Sequence, residues 1–311
     1  MKTVALFLLK RIGWGAATLL TVIVASFFLQ RAAPGGPFDE EREASAAVRA
    51  ARRAEWRLDE PAWKQLFYYL DGMCSFPPDL KRSMKQPEFT VTELIGPRLA
   101  VSASLAGVTL VFSLLIAVPL GLFAALRRNT LLDHATMALC LVGVAVPGFV
   151  LAPLLKRVFA LELGWLPESR WVGPASMVLP VVAMSAVTIA AVSRLVRAGM
   201  LDVLSQDWIR TAHAKGLAPR VVIFRHALRG AILPAISYLG PAAAGLLVGS
   251  VVIERVFNIP GLGTYFVEAA FNRDYTLVMG TVIVYSALLI AMNIVVDILL
   301  VCLDPRLGLD S

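Results

Sequence analysis

Charge is scarce in this sequence. Lys, Arg, Asp and Glu make up 16% of the 311 residues against 58% hydrophobic, and mean hydropathy is +0.73. Soluble domains average about 25% charged and about 45–50% apolar residues, so a water-soluble globule is excluded. Cysteine and histidine are scarcer still, three of each. Cys74, Cys140 and Cys302 stand far apart, which excludes a disulfide framework and a zinc knuckle. No Gly-x-x-x-x-Gly-Lys-Ser/Thr string is present, so the chain has no P-loop to cradle ATP phosphates. There is no His-Glu-x-x-His string, no internal repeat and no low-complexity tract. With no catalytic constellation, an enzyme and a cofactor are not expected. The net charge of +7 points to basic loops beside a membrane rather than to nucleic acid.

What the chain does have is apolar length. Six charge-free runs cover residues 12–29, 99–126, 135–155, 174–193, 230–253 and 275–296, each near the ~20 residues that span a bilayer. Lys10 and Arg11 before the first run and Ala32-Ala33 after it also suit a signal peptide. Yet a cleavable apolar core is only about 7–15 residues long, so a retained first helix is expected. Pro119, Pro147, Pro180, Pro234 and Pro241 lie inside runs and predict kinks, since neighbouring helices can satisfy the freed carbonyls.

Lys and Arg in short loops set the orientation. With the N-terminus inside, thirteen fall on inner segments and five on short outer loops. The remaining eleven of the 29 lie between residues 30 and 98, a stretch too long for the rule. Lys156 and Arg157 fit the outer side poorly, and the third helix is expected to run past them. The expectation is an all-α integral membrane protein with six spans, N-in and C-in. Its divisions are a first helix (1–30), an outer segment (31–98), a body at 99–303 that holds the other five spans and an inner loop at 197–229, and an inner tail (304–311).

Two extramembrane stretches stand out. The outer one opens with the turn-rich Ala33-Pro34-Gly35-Gly36-Pro37-Phe38, then a helix-prone stretch at 40–58 rich in Ala, Glu and Arg. Leu58-Asp59-Glu60-Pro61 breaks it, and Trp63, Leu66, Phe67 and Leu70 then recur at helical spacing. Either this is a solvated loop with an amphipathic helix on the bilayer, or it is a docking surface for an external partner. The inner stretch, 194–229, holds a short helix between Ser205 and Lys215. Ser205 or Asp207 is a plausible N-cap and Gly216 the stop, and the residues expected to protrude are small or amide-like. Alone it reads equally as an ordinary basic loop or as an insert for a partner's groove.

A resemblance decides between these readings. Asp207, Arg210-Thr211-Ala212, Ala214-Lys215-Gly216-Leu217, His226-Ala227-Leu228-Arg229 and Pro234 resemble the cytoplasmic coupling loop of permease subunits in binding-protein-dependent ABC importers. The blocks Val252-Ile253-Glu254, Ile259-Pro260-Gly261-Leu262-Gly263, Asn272-Arg273-Asp274-Tyr275 and Asp304-Pro305-Arg306 are similar to the peptide and nickel branch. Ala33–Phe38 and Leu58-Asp59-Glu60-Pro61 are similar, within it, to the oligopeptide permease B subunits. The chain departs from the family at Gly230, His213 and Cys74-Ser75-Phe76-Pro77-Pro78-Asp79.

The resemblance implies a type I ABC importer permease in a bacterial inner membrane. It implies a homologous second permease subunit, two cytoplasmic ABC ATPases, an external peptide-binding protein and peptide as cargo, with lipid around the spans. Dipeptide or nickel import is the alternative. A secondary transporter would need ion-coupling acids or broken helices at the midplane. Asn293 and Asp297, four residues apart on one helix face, are candidates for packing or gating, as is Glu254. Gly245 and Gly249 form a small-x-x-x-small pair expected to make a close helix contact, within the chain or with a partner subunit.

Overall fold

The computed structural model describes residues 2–39, 46–75, 78–168 and 171–303. Asp304-Pro305-Arg306 and the rest of the tail, residues 40–45 of the helix-prone stretch, Phe76, Pro77 and Arg170 lie outside the described residues. Among those described the chain is helical, with one isolated bridge between Arg82 and Thr90. Five helices are long and apolar enough to cross a membrane: Leu9–Ala32, Val91–Leu126, Pro174–Leu204, Leu239–Val256 and Tyr275–Leu303.

The third run does not form one kinked span. It is two helices, Leu131–Ala145 and Gly148–Glu162, bent by 96°. Pro147 causes the break: it removes a backbone donor and pushes the residue before it out of the helical region. Val146 is extended (φ −90°, ψ 112°) and Pro147 follows at φ −60°, ψ 140°. Pro119 and Pro180, by contrast, sit within uninterrupted helices. The second of the two helices passes Lys156 and Arg157 as a π-helical segment, Lys156–Glu162, as the charge pattern suggests. Arg157 pairs with Glu162 at 2.9 Å, and Lys156 donates to the Val256 carbonyl at 3.2 Å. The fifth run is also divided, into Leu228–Ala231, Leu233–Ser237 and Leu239–Val256. Pro234 and Pro241 each fall in the first turn after a division, where a missing N–H goes unnoticed.

The chain forms two units. The first comprises Met1–Arg11, Ala103–Ile259 and Leu289–Ser311. Its core gathers Val192, Val196, Met200, Ile209, Ala212, Val222, Ala227 and Ala231. Gly199 lets the Val178–Leu204 helix approach the Ala231 backbone, where any Cβ would overlap the carbonyl oxygen. Small residues serve this purpose where lipid supplies no hydrophobic drive between helices. Across the same unit Arg197 grips Asp133 with two bonds of 2.7 Å, and the Asp133 side chain is wholly buried. Asp133 also accepts from the Asn129 N–H at 3.0 Å.

The second unit comprises Ile12–Ser102 and Pro260–Leu288. Here part of the segment after residue 30 is packed, although the Ala46–Glu55 helix is largely exposed. The Ala62–Met73 helix lays Leu66, Tyr69, Leu70 and Met73 against Ile23, Phe27, Met279 and Ile283. Burial pushes the Tyr69 hydroxyl up from its ordinary pKa, with Asp79 adding to the shift. Asp274 organises the rest of the unit. Buried itself, it accepts from the Ser83 hydroxyl, the Met84 N–H (3.2 Å), the Thr276 hydroxyl (3.0 Å) and the Leu277 N–H (3.1 Å). One carboxylate thus caps the Tyr275–Leu303 helix and holds the 83–85 turn. Ser102 does likewise for the Leu262–Phe271 helix, accepting from the Leu262 N–H at 2.8 Å.

Candidate functional site

The inner loop contains the helix Asp207–Ala214, and then a helical stretch from Pro219 to Ala231 whose middle, Val222–Ala227, is π-helical. The inward residues of Asp207–Ala214, Ile209 and Ala212, are three apart and so share a face. Both join the core of the first unit beside Val222 and Ala227. Burying Ile209 contributes about 1.5–3 kcal/mol, which fixes the helix to its support. The opposite face is open: Asp207, Arg210, Thr211, His213, Ala214, Lys215, Gly216 and Leu217 are all exposed.

The two ends of the helix are built differently. Neither Ser205 nor Asp207 is the N-cap. Gln206 holds that position in an extended conformation without a side-chain bond, and the Ser205 hydroxyl turns back to the Asp202 carbonyl at 2.7 Å. Asp207 is the first helical residue, where a carboxylate faces the positive end of the helix dipole. The C-terminal end follows the sequence expectation. Gly216 has φ +77°. Its N–H donates to the His213 carbonyl at 2.9 Å and the Leu217 N–H to the Ala212 carbonyl at 3.4 Å. That pair of bonds is a Schellman turn, and it requires the left-handed conformation at Gly216. The helix is therefore anchored by packing on one face and halted sharply at its end.

The exposed face is less uniformly small than expected. Because Ile209 and Ala212 take the inward positions, Trp208 is rotated outward and is 47% exposed. Phe224, in the π-helical segment Val222–Ala227, is 60% exposed. Solvent-exposed large apolar side chains beside a basic loop suit a surface that is covered by another protein. Trp208 could have been found from the spacing of Ile209 and Ala212, which puts it off the inward face. The one ion pair on the helix, Arg210 to Asp207 at 3.2 Å, is exposed at both ends. Such a pair contributes ~0.3–0.5 kcal/mol and exchanges easily for other contacts. His226 is half-buried in the π-helical segment Val222–Ala227, Leu228 packs on the core of the first unit, and Pro234 is exposed. These three frame the support rather than the exposed face.

The membrane-embedded candidates separate. Asn293 and Asp297 share a helix but meet different neighbours. Asn293 donates to the Leu289 carbonyl at 3.0 Å and lies against Gly240, where a Cβ would overlap its side chain. Asp297 pairs with Arg11 of the first helix at 3.1 Å. Glu254 is fully buried and accepts from the Ser250 hydroxyl at 2.8 Å. Among the described residues Gly245 and Gly249 make no close contact, because a Cβ at either would meet open space.

Comparison with known proteins gives the family and its relatives. Residues 117–309 match the family described as binding-protein-dependent transport system inner membrane component. The chain is 42% identical over 305 residues to the dipeptide transport system permease protein of Bacillus subtilis, covering 98% of each. It is 43% identical over 303 residues to the oligopeptide transport system permease protein of Salmonella typhimurium, covering 97% of this chain and 98% of that one. To the dipeptide transport system permease protein of Lactococcus lactis it is 35% identical, covering 97% of this chain and 99% of that one.

Proposed function

The chain belongs to the family of binding-protein-dependent transport system inner membrane components, and on that premise we propose that it is the membrane-spanning permease subunit of an ATP-driven importer of oligopeptides. The observation that carries the mechanism is the Asp207–Ala214 helix, anchored by Ile209 and Ala212 and stopped by the turn at Gly216. A helix held on one face and open on the other passes force without bending. It is the coupling element: cytoplasmic ATPase subunits grip its open face, and their closure moves the Val178–Leu204 helix that leads into it. The ATPases do the chemistry, and this subunit converts it to movement.

Partners follow from that role. A homologous second permease completes the path, two ATPases sit below, and an external peptide-binding protein delivers cargo to the side bearing residues 31–98. The chain lies in a bacterial inner membrane with both termini inside and six spans, the bent pair counting as one. Dipeptide import is the second reading, favoured by the dipeptide permeases among the relatives. Uptake of a labelled pentapeptide in cells that contain or lack this chain tests the proposal. Uptake that depends on the chain and on ATP supports oligopeptide import. Uptake restricted to dipeptides moves the chain to the second reading, and copurification without any ATPase overturns the importer.

A further inference from the structure

The first unit contains a cavity of about 350 Å³ bordered by Gly148, Phe149, Val187, Tyr238, Gly245 and Gly249, and no ionisable carboxylate, amine or guanidinium lines it. Two interruptions of helical backbone open onto it. Gly148 and Phe149 begin the helix after the 96° bend. Tyr238 is the junction between Leu233–Ser237 and Leu239–Val256. At membrane depth such backbone is tolerated only inside protein or along water, because hydrocarbon satisfies no hydrogen bond. The helix from Gly148 to Leu155 has no side-chain cap, and its N–H groups at Gly148 and Phe149 have no backbone acceptor among the described residues. Water entering the cavity would satisfy them. Lipid cannot.

Gly245 and Gly249 stand one turn apart on the wall of this cavity. Among the described residues neither glycine has a close-packing role, since a Cβ at either position meets nothing within 4 Å. Their effect is on the width of the space instead. We infer that this cavity is a water-filled stretch of the substrate path, and that Gly245 and Gly249 set the largest cargo side chain that passes it. The wall carries no charge to read cargo by, and apart from the hydroxyls of Thr188 and Tyr238 its side chains are apolar, so the two glycines act on width. The cargo half of this inference rests on the peptide-import reading, whereas the water-filled half does not.

The test uses the reconstituted importer complex in vesicles, with Cys74, Cys140 and Cys302 replaced by serine or alanine. Gly245→Cys and Gly249→Cys are exposed to 2-sulfonatoethyl methanethiosulfonate, a charged reagent excluded from lipid. Leu115→Cys, on an exposed apolar face of the Val91–Leu126 helix, is the reference. Thiolates form and react only in water, so both glycine positions are expected to label about tenfold or more faster than position 115. Labelling as slow as at position 115 overturns the inference, because the glycines then face lipid or a helix of the second permease. In the second arm, Gly249→Leu is expected to lower tri-tryptophan uptake about tenfold while triglycine uptake stays within about twofold of the parent. Equal loss of both peptides overturns the width assignment. Absence of peptide uptake in the parent complex instead counts against the proposed function, and the labelling contrast still decides whether the cavity is wet.

Discussion

Replacing Arg197 with Met leaves a carboxylate buried in the first unit with most of its compensation gone. In the native chain Asp133 receives two charge-assisted bonds of 2.7 Å from Arg197 and a third from the Asn129 N–H. The substitution removes the first two and keeps the third. Breaking a buried pair by removing one partner costs about 3–5 kcal/mol, whereas exchanging both for apolar residues is often neutral or stabilising. The double variant Arg197→Met with Asp133→Leu also gives up the Asn129 N–H bond, but Asn129 is exposed and water can take its donor, so exchanging the pair is neutral or modestly stabilising. The double variant should therefore unfold near the wild-type midpoint, and the single variant far below it. Reversible unfolding in mixed detergent micelles measures both. Equal stability of Arg197→Met and wild type, or a double variant no better than the single, would refute the reasoning. The consequence reaches function because Arg197 lies on the Val178–Leu204 helix, which leads directly into the Asp207–Ala214 helix.

Other perturbations have separate readouts. Asp274→Ala removes a helix cap and the acceptor of the 83–85 turn, and should destabilise by at least about 1–2 kcal/mol; limited proteolysis should then cut near residues 83–85 first, and an unchanged pattern would contradict the organising role. Ile209→Ala should cost about 2–5 kcal/mol and weaken ATPase copurification, because the helix loses its anchor while its open face is untouched. Trp63→Ala combined with Phe67→Ala, both exposed, should change stability by no more than about 0.5 kcal/mol. If the outer segment docks the binding protein, the same double variant should lower binding-protein stimulation of ATP hydrolysis.

The spans were legible because each depends only on a local count of apolar residues. The break at Pro147 was not. Five prolines lie in the runs, and whether one breaks a helix depends on its position in the helix and on what receives the freed backbone groups. Pro119 and Pro180 leave their helices whole, while Pro147 turns the chain by 96°. The turn at Gly216 was legible because a C-terminal glycine acts locally. Its N-terminal counterpart was misplaced because Ser205 spends its hydroxyl on Asp202. Asp133 was not singled out, Asp274 stood out only as part of the Asn272–Tyr275 block, and the buried role of each was illegible for a shared reason. Their partners, Arg197 and residues 83–85, are distant in sequence, and no local pattern marks a carboxylate that will be buried. Gly245 and Gly249 have the spacing of a helix contact but border open space within the chain, a distinction that only the fold makes.

The central claim is that the Asp207–Ala214 helix transmits ATPase movement, and Gly216→Val addresses it most directly. A Cβ at Gly216 meets no neighbour, so the penalty is the left-handed backbone alone, about 1–2 kcal/mol and more for a β-branched residue. That is enough to re-aim the helix end while the membrane spans stay inserted. In reconstituted complex, the measurement is peptide taken up per ATP hydrolysed, with and without the binding protein. The account predicts normal insertion, lost uptake, and hydrolysis that no longer responds to the binding protein. Peptide uptake by Gly216→Val at the wild-type rate, still coupled to hydrolysis, would contradict it.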